Sequence, residues 1–459
     1  MSDNNEKFNE LINESFIYPE GLSGAEDRFR MRINKHRRKK RAFTASISAL
    51  AASLLFVLLV NTSTAFANVV AEMPVIGQLA EFVKLNKSLS KAIENDYVQE
   101  VNLIAWDGSK SLFLPYVIAD EKNLVLFLRL PDEYKPKDGE WINIFIESMT
   151  DRKTGENIEG YSYSSSGISA DTVKDNGFAI IQCYFSEGKL PKYIDIEMEM
   201  NFKSMGAEHK EEMSMYDESV PEIYLEKIGI FKFSLDLSDF AEPVIYEINE
   251  EHTVLGQRIV VDNIKVYPAG TEVNFSFSDD NTAWIKGIDA RVLLEDGSVY
   301  KGTGNGLSSI HHEENKGMSV FIESNYFDKS EKQKLVIESV RLLNKDEEYI
   351  TVDIDNKTIE PKIKGMKLKQ VIRKTENAML VFFTETEKGD SFGMFSGKYS
   401  DMEDNEYELK SEGTSPGNHG METMITVKYP ADGKIILKRA LTPKIYPDKP
   451  LSINIPVPE

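Results

Sequence analysis

Two adjacent histidines followed by two glutamates, His311-His312-Glu313-Glu314, are the densest group of potential metal ligands in the sequence. A zinc-protease motif needs its two histidines one turn apart on one face of a helix, whereas this group lies in a stretch rich in Gly, Ser and Asn. Two acidic runs, Asp279-Asp280-Asn281 and residues 401–404, lack the alternating spacing of a calcium loop. We therefore expect polar loops and turns at all three places, and no bound metal.

The remaining chemical motifs are weak. Gly302, Gly304 and Gly306 are spaced like part of a phosphate-binding loop, but no helix and no Gly-Lys-Ser/Thr follows, which favours a hairpin loop. No G-x-S-x-G, Ser-x-x-Lys or Cys–His combination occurs in a context that supports catalysis. The single cysteine, Cys183, lies in an apolar strand pattern at 180–185, so we expect a packed, inert thiol. We expect neither an enzyme nor a cofactor.

The strongest pattern in the chain is a run of five cations that immediately precedes nineteen uncharged residues at 42–60. A bilayer core about 30 Å thick requires roughly 20 apolar residues in a helix, and residues 42–62 meet that length. Cations concentrate on the cytoplasmic side of a span, so residues 1–41 are expected inside and the rest of the chain outside. The cations that determine this topology are Arg37, Arg38, Lys39, Lys40 and Arg41.

The apolar segment therefore predicts a single-pass protein of the cell membrane, with the lipid bilayer as a partner. A cleaved secretory signal is the alternative, because Ala65 and Ala67 flank Phe66 as in an A-x-A processing site. The 41 residues before the apolar stretch are long for a signal peptide, which favours an uncleaved anchor. Whether the chain is also cut near Ala67 stays open.

The predicted cytoplasmic tail, residues 1–41, contains an apolar face of a short helix. Pro19 and Gly21 break this helix, and Ser23 with Glu26 forms a capping-box pattern for a second one. The face is a candidate docking peptide for a cytoplasmic partner; the alternative is a disordered tail with a chance apolar period, since so short a helix is marginal alone. Its residues are Phe8, Leu11, Ile12 and Phe16.

Charge separates the two sides of the predicted span. The whole chain has a net charge of −21, and the tail has ten Lys or Arg against seven Asp or Glu. The tail is therefore basic and the external part strongly acidic, which argues against nucleic acid as a partner. A large external chain without a disulfide is typical of a surface protein of a Gram-positive bacterium.

An apolar stripe at helical spacing follows the span and predicts an amphipathic juxtamembrane helix within residues 63–96. The helix can lie on the outer leaflet or pack on the first folded domain, and packing is the more common arrangement. The stripe consists of Val75, Ile76, Leu79, Phe82, Val83, Leu89, Ala92 and Ile93.

From residue 97 onward, short alternating strands and Gly, Asp or Asn turns replace helical periods. Three segments open alike, at 98–103, 257–261 and 366–371, and each leads to a second apolar strand, at 124–128, 273–277 and 379–383. A hairpin with the turn Asp296-Gly297 marks the middle of the second copy. The repeat predicts a mainly β protein with three tandem antiparallel sandwiches of immunoglobulin-like architecture.

The ends of the three copies also match. Segments 231–237, 349–354 and 451–455 alternate with period two, as strands do with one buried and one solvent-facing side. We assign each as the closing strand of the copy that precedes it. The predicted domains are residues 97–240, 252–356 and 362–459, separated by linkers that contain proline and charge.

Two sets of motifs in the sequence resemble known families. The first set is the basic run, Ala65-Phe66-Ala67-Asn68-Val69, Met73-Pro74-Val75-Ile76-Gly77 and Ala92-Ile93-Glu94-Asn95-Asp96-Tyr97-Val98-Gln99. It resembles the membrane-anchored "domain of unknown function 4179" (DUF4179) proteins of Firmicutes. The second set is Gly256, Val260, Val266-Tyr267-Pro268 and Glu295-Asp296-Gly297-Ser298-Val299-Tyr300. It resembles the immunoglobulin-like DUF5643 domain that accompanies the first family.

The resemblance implies an anti-sigma-factor-like protein whose partner is an extracytoplasmic-function sigma factor or another cytoplasmic regulator. The tail has no cysteine for a zinc-binding anti-sigma motif and is short for a folded inhibitory domain. Two hypotheses follow. In the first, external sandwiches sense an unknown ligand or stimulus and the tail contacts the regulator. In the second, the protein is a structural or ligand-binding surface module and the tail only sets the topology.

Overall fold

A computed structural model describes most of the chain beyond the juxtamembrane segment. Within it, no helix is long and apolar enough to cross a membrane. The predicted tail with Phe8, Leu11, Ile12 and Phe16, the run 37–41, the span 42–62 and Ala65 and Ala67 lie outside the described residues. The described residues are 79, 83, 86–130, 136, 140–165, 168–169, 178–205, 223–302, 308–328, 330, 332–373, 376–409, 411–417, 419–430 and 433–456.

The described residues fall in one compact unit, Pro74–Glu459, which is mainly β. It begins with helix α1 (Lys87–Glu94) and continues as the first sandwich. The strands of this sandwich are β1 (Gln99–Asp107), β2 (Lys110–Ala119), β3 (Asn123–Arg129), β4 (Glu140–Asp151), β5 (Tyr161–Ser165), β6 (Ile168–Ser169), β7 (Phe178–Phe185), β8 (Tyr193–Met205) and β9 (Ile223–Asp236). Sheet 1A has the order β1-β2-β3-β7-β5 and sheet 1B the order β6-β4-β8-β9, all antiparallel.

The second sandwich repeats this plan. Its first strands are β10 (Val244–Val254), β11 (Gln257–Val266), β12 (Thr271–Phe277), β13 (Ala283–Leu294), β14 (Val299–Lys301), β15 (Ser309–His312), β16 (Gly317–Ile322) and β17 (Gln333–Asn344). Sheet 2A has the order β10-β11-β12-β16-β15. The expected hairpin forms between β13 and β14, where Gly297 takes a positive φ of 88° in the turn.

The third sandwich and the chain end supply the remaining strands. They are β18 (Tyr349–Asp353), β19 (Thr358–Glu360), β20 (Met366–Arg373), β21 (Asn377–Thr384), β22 (Phe395–Asp401), β23 (Glu406–Glu408), β24 (Ser411–Pro416), β25 (Met421–Lys428), β26 (Lys434–Arg439), β27 (Lys444–Ile445) and β28 (Leu451–Ile455). Sheet 3A has the order β20-β21-β25-β24 and sheet 3B the order β19-β18-β26-β22-β23. Sheet 2B has the order β14-β13-β17-β27, with β28 also paired to β17.

The second and third sandwiches exchange their closing strands. In the first sandwich, β9 follows β8 along the chain and pairs with it. In the second, the equivalent place beside β17 belongs to β28, from the end of the chain. The equivalent place beside β26 in the third sandwich belongs to β18, which follows β17. The observed pairing differs from the sequence assignment of segments 349–354 and 451–455 to the sandwiches that precede them.

A short turn held by the third sandwich explains the exchange. After β17 the chain makes a 3₁₀ turn at Lys345–Glu347 instead of a hairpin. The Arg439 guanidinium at the end of β26 donates to the Glu347 side chain at 3.1 Å, and the Arg439 backbone N–H donates to the Glu348 carbonyl at 2.8 Å. These contacts direct β18 into the third sandwich, so the edge of β17 is left for β28.

The outer face of sheet 1A is also buried. In β2 nearly every residue is buried, and β3 shows the same pattern. Alternate side chains face the inside of the sandwich, while Tyr116, Ile118, Val125 and Phe127 form a second apolar cluster with α1. From the predicted stripe, the described residues Leu79, Val83, Leu89, Ala92 and Ile93 are all buried in this cluster. The structure therefore agrees with the packing interpretation of the juxtamembrane helix.

One detail of the sequence repeat differs from the structure. The segment at 98–103 forms β1, which occupies the place of β10 in its sheet, so β2 is the equivalent of β11.

Cys183 lies in β7 as expected and is 2% exposed in the core of the first sandwich. Burial raises the pKa of this thiol to about 12, which agrees with an inert side chain.

Candidate functional site

Helix α1 joins the first sandwich to the second. Asn86 caps the helix because its Oδ1 accepts the Leu89 backbone N–H at 3.1 Å. The first turn is bonded to the second sandwich: the Lys87 N–H donates to Glu323 Oε1 at 3.1 Å, and the Ser324 N–H donates to Ser88 Oγ at 2.6 Å. Helix α1 is therefore fixed at the joint between the two sandwiches.

A buried carboxylate, Asp120, makes a second connection across this joint. Its Oδ1 accepts the backbone N–H groups of Lys122 and Asn123 and the Asn123 amide at 2.8–2.9 Å, in the turn between β2 and β3. Its Oδ2 accepts the Ala269 N–H of the second sandwich at 3.0 Å. Burial raises the pKa of Asp120 to about 6, although these donors act in the opposite direction. The Asp120 side chain thus bridges the two sandwiches.

A third connection is the pair Tyr184 and Glu272. The Tyr184 hydroxyl on β7 donates to Glu272 Oε2 on β12 at 2.9 Å, and the Tyr184 ring lies 4.1 Å from the Phe321 ring, centroid to centroid. Burial and the nearby Glu272 carboxylate raise the pKa of Tyr184 well above its ordinary value. Glu272 itself is only 7% exposed. The tyrosine therefore remains a neutral hydrogen-bond donor to a buried carboxylate.

The network continues to Ser319 and His312 on the neighbouring strands of sheet 2A. The His312 Nε2 lies 2.8 Å from Ser319 Oγ, and Ser319 Oγ lies within bonding distance of Asn274 Oδ1 and 3.3 Å from Glu272 Oε1. A catalytic serine gives its proton to a histidine that a carboxylate orients from the far side. Here the carboxylate lies beside the serine and not behind the histidine, and Ser319 is 3% exposed. The arrangement is that of a structural polar network.

Two clefts flank the Tyr184–Glu272 pair. The first has a volume of about 250 Å³ and lies between β3, β5 and β7 of the first sandwich and the β11–β12 turn of the second. The second has a volume of about 650 Å³ and extends along sheet 2A past His312. Tyr184, Glu272 and Phe321 line both clefts. The two form one continuous depression along the joint, which we call the joint cleft.

Two buried hydroxyl groups in the first part of the joint cleft have no hydrogen-bond partner among the described residues. They are Ser162 Oγ on β5 and Thr271 Oγ1 on β12, and Thr271 is 1% exposed. Amide side chains from Asn86, Asn123 and Gln182 line the same space. Unsatisfied buried hydroxyls are uncommon in folded proteins. Both oxygen atoms are shielded from solvent, so they are unsatisfied groups packed beside the cleft and are not open to it.

The residues singled out by sequence play smaller roles. His311 and His312 lie at the edge strand β15, where His311 Nε2 is 3.3 Å from the Lys286 carbonyl. Asp280 and Asp401 act in turns: Asp280 pairs with Arg258, and Asp401 accepts from Asn405 and Tyr407. Asn405 and the other donors lower the pKa of Asp401 to about 2.

No group of metal ligands occurs in the described part of the chain. Gly302 follows β14, while Gly304 and Gly306 lie outside the described residues.

Sequence reasoning missed the joint cleft because its key residues alternate as solvent-facing positions do. Glu272 and Asn274 occupy one side of β12, and Gln182 and Tyr184 occupy one side of β7. Alternation with a period of two shows which residues share one face of a strand, but it does not show which element covers that face. The available signal was the continuous apolar run in β2, which indicates that both faces of sheet 1A are covered.

Two family models match the chain. Residues 35–132 match the family described as Domain of unknown function (DUF4179), and residues 244–369 match the family described as Family of unknown function (DUF5643). Both resemblances seen in the sequence are thereby confirmed. The first match runs from the basic run to β3, and the second contains every strand of the second sandwich except β27 and β28.

Other similarities are limited. No curated protein matches the chain. The crystal structure of the conserved domain protein from Bacillus anthracis is similar over 58% of this chain and 85% of that chain, at 13% sequence identity and a TM-score of 0.38.

Proposed function

We propose that this chain, which contains a DUF4179 region and a DUF5643 region, is a single-pass membrane protein with an external β-sandwich sensor or binding region. The apolar segment 42–62 and the preceding cations support a span with the amino terminus in the cytoplasm. The acidic composition of the remaining chain supports an exposed, soluble exterior without a nucleic-acid partner. Ser319 is 3% exposed and its hydroxyl lies within bonding distance of Asn274 and Glu272 as well as His312, which favours a structural network over a catalytic one.

We further infer that the sandwiches are immunoglobulin-like. In that architecture one sheet has the strand order A-B-E-D and the other the order C′-C-F-G. The order β2-β3-β7-β5 in sheet 1A and β4-β8-β9 in sheet 1B corresponds to A-B-E-D and C-F-G, with β1 and the short β6 as added edge strands. The second and third sandwiches follow the same order with their closing strands exchanged.

The observation that carries the sensor proposal is the position of α1. This helix follows the predicted span and is bonded to both sandwiches at the joint cleft, through Leu89 and Ile93 on one side and Ser88 and Lys87 on the other. A ligand or force that changes the joint therefore changes the contacts of the segment next to the membrane. Such a coupling needs two arrangements of the joint with different ligand affinity.

We place the signalling partner in the cytoplasm and expect it to be an extracytoplasmic-function sigma factor or another regulator. The Phe8–Phe16 face is the docking candidate. The test is a two-hybrid or co-purification assay of the full chain with an extracytoplasmic-function sigma factor. The variant Leu11→Asp/Ile12→Asp should abolish binding, whereas the control Asn9→Asp/Asn13→Asp adds the same charge away from the apolar face and should bind normally. Equal binding by both variants would contradict the docking role.

The second candidate is a structural or ligand-binding surface module in which the tail only sets topology. The joint cleft, whose first part has a volume of about 250 Å³, favours a binding role of this kind. Deletion of residues 1–22 separates the candidates: a surface module keeps its cellular function after the deletion, whereas an anti-sigma-like regulator loses it.

A further inference from the structure

We propose that the joint between the first and second sandwiches responds to external pH, closing in acid and loosening as the buried Asp120 carboxyl group ionises. The inference deepens the proposed function by naming the stimulus of the external region, and it rests on that function only for the location of the joint outside the cell. Its basis is the burial of carboxylates between the two sandwiches and the hydrogen bonds that they accept across the joint.

Three carboxylates are buried at the joint. Asp120 is 0% exposed, and Glu272 and Glu323 are each 7% exposed. Among the described residues, no cationic side chain forms an ion pair with any of the three. Each accepts a hydrogen bond from across the joint, and the donors are, in the same order, the Ala269 N–H, the Tyr184 hydroxyl and the Lys87 N–H. A carboxylate that leaves water without gaining a cation is costly in its charged form, so closing the joint opposes ionisation.

Asp120 is the most deeply buried of the three, and the response depends on it. Burial raises its pKa to about 6 and outweighs the opposite effect of four N–H donors, three from its own turn and one from Ala269. When the sandwiches separate, Ala269 leaves and water reaches the carboxyl group, so the pKa returns toward its ordinary value of 3.8. The closed joint therefore binds a proton more tightly than the open joint does, and proton binding favours the closed state.

The titratable groups around Asp120 leave the direction of this response unchanged. Burial raises the pKa of the four neighbouring tyrosines, which therefore stay neutral between pH 4 and 7. The Lys122 Nζ donates to two carbonyl oxygens beyond β7, at 2.8 and 3.4 Å, and Glu121 is paired with Lys189. None of these groups forms an ion pair with the Asp120 carboxyl group. The neighbours are Glu121 and Lys122 in the β2–β3 turn, Tyr97 before β1, Tyr184 on β7, Tyr267 after β11, Glu272 on β12 and Tyr326 after β16.

The two pKa values of Asp120 determine the size of the effect. The contribution that favours the closed joint is complete below pH 3.8 and is lost as pH rises through 6. The ratio of open to closed joint should therefore rise by roughly a hundredfold over this titration and stay constant above about pH 7. Because Lys87 and Ser88 bond α1 to the second sandwich, the same change alters the contacts of the helix that follows the predicted span.

The test is hydrogen–deuterium exchange of the full chain in detergent micelles from pH 4 to 8, with single amides resolved by electron-transfer fragmentation. The reporters are three backbone N–H groups that donate across the joint, those of Lys87, Ala269 and Ser324. Each exchange rate is divided by the intrinsic rate of the same amide at that pH, which leaves the opening equilibrium.

We expect this normalised rate to rise roughly a hundredfold between pH 4 and 7 and then to level off, while amides of β8 and β13 stay protected in the two sandwich cores. A normalised rate that is constant, that falls, or that still rises from pH 7 to pH 8 would overturn the proposal. An equal loss of protection in β8 and β13 would mean that the sandwiches unfold instead of separating, and it would overturn the proposal as well.

Variants identify the responsible group. Asp120→Asn removes the charge, so we expect its normalised rates to be independent of pH, and persistence of the rise would overturn the role of Asp120. Asp401→Asn is the matched control, because Asp401 also accepts N–H groups of its own turn but is partly exposed in the third sandwich, and it should keep the full response. If Asp120→Asn opened the joint at every pH, the levelling in the unmodified chain would decide. Topology is measured separately with external-reporter fusions, so failure of the pH response and failure of the membrane proposal are distinguishable.

Discussion

The exchange of closing strands makes a directional prediction about stability. Ile453 on β28 belongs by sequence to the third copy, but its side chain is 3% exposed in the core of the second sandwich. Ile350 on β18 follows the second sandwich along the chain, but it is fully buried in the core of the third. The variants Ile453→Ala and Ile350→Ala are therefore a matched pair. We expect Ile453→Ala to destabilise the second sandwich and Ile350→Ala to destabilise the third.

The magnitude follows from the atoms removed. Each variant deletes three buried carbons, and at about 0.8 kcal/mol per carbon the lost transfer free energy is about 2.4 kcal/mol. The cavity left behind raises the cost to about 3–4 kcal/mol, within the range measured for such changes. Local opening governs amide exchange, and every 1.4 kcal/mol is a factor of ten. Exchange in the affected strand should accelerate by about two to three orders of magnitude.

The assay is hydrogen–deuterium exchange followed by mass spectrometry on native protein. For Ile453→Ala we expect the acceleration at 333–337 of β17, which pairs with β28. For Ile350→Ala we expect it at 434–438 of β26, which pairs with β18. If Ile453→Ala instead accelerated exchange in β26 and left β17 protected, the exchange of strands would be refuted. Equal acceleration in both sandwiches would show that they open as one unit, and the directional reasoning would fail.

Three further predictions concern buried ionisable groups. Arg341 on β17 pairs with Asp390 of the third sandwich at 2.5 Å, with side chains 13% and 5% exposed. The variant Arg341→Ala should therefore lower the free energy of unfolding, measured by chemical denaturation, by about 3–5 kcal/mol. A decrease of less than about 1 kcal/mol would contradict this prediction. Because the pKa of Asp120 is raised from 3.8 to about 6, the contribution of this side chain to the free energy of unfolding is largest below pH 3.8. That contribution is lost as pH rises through 6. The free energy of unfolding should therefore fall by on the order of 3 kcal/mol relative to Asp120→Asn between pH 4 and 7, and a constant difference would refute the raised pKa. The Cys183 thiol, with a pKa of about 12, should react with a thiol reagent only after unfolding, and rapid labelling of native protein would contradict its burial.

Strands were predictable wherever local pattern was enough. The alternation around Cys183 predicted β7, and the Asp296-Gly297 turn predicted the β13–β14 hairpin, because side-chain period and turn conformation are local properties. The helical stripe predicted that Leu89 and Ile93 are buried, since one apolar face of a helix needs a covering surface. These features depend on neighbours along the chain, which a single sequence records directly.

The joint cleft depends on contacts between distant segments, and the sequence does not record these. Glu272 and Tyr184 occupy the outward face of their strands, where an isolated sandwich would expose both to water. They become a buried pair because the second sandwich is held against sheet 1A by Asp120 and α1. A strand of alternating apolar and polar residues has the same sequence pattern whether its outward charged residue faces water or a second sandwich. Only the unbroken apolar run of β2 distinguishes them.

The exchanged strands show the same limit at the level of topology. Strands β18 and β28 have the same length, the same alternation and β-branched residues on the buried side, so either fits the edge of β17 or of β26. The choice is made by the turn after β17, where Glu347 and Glu348 are bound by Arg439 from the far sandwich. A buried arginine whose partner lies 92 positions away along the chain thus determines which strand closes each core. Because β28 closes the second sandwich, a truncation before β28 would leave the edge of β17 open to pairing with another chain.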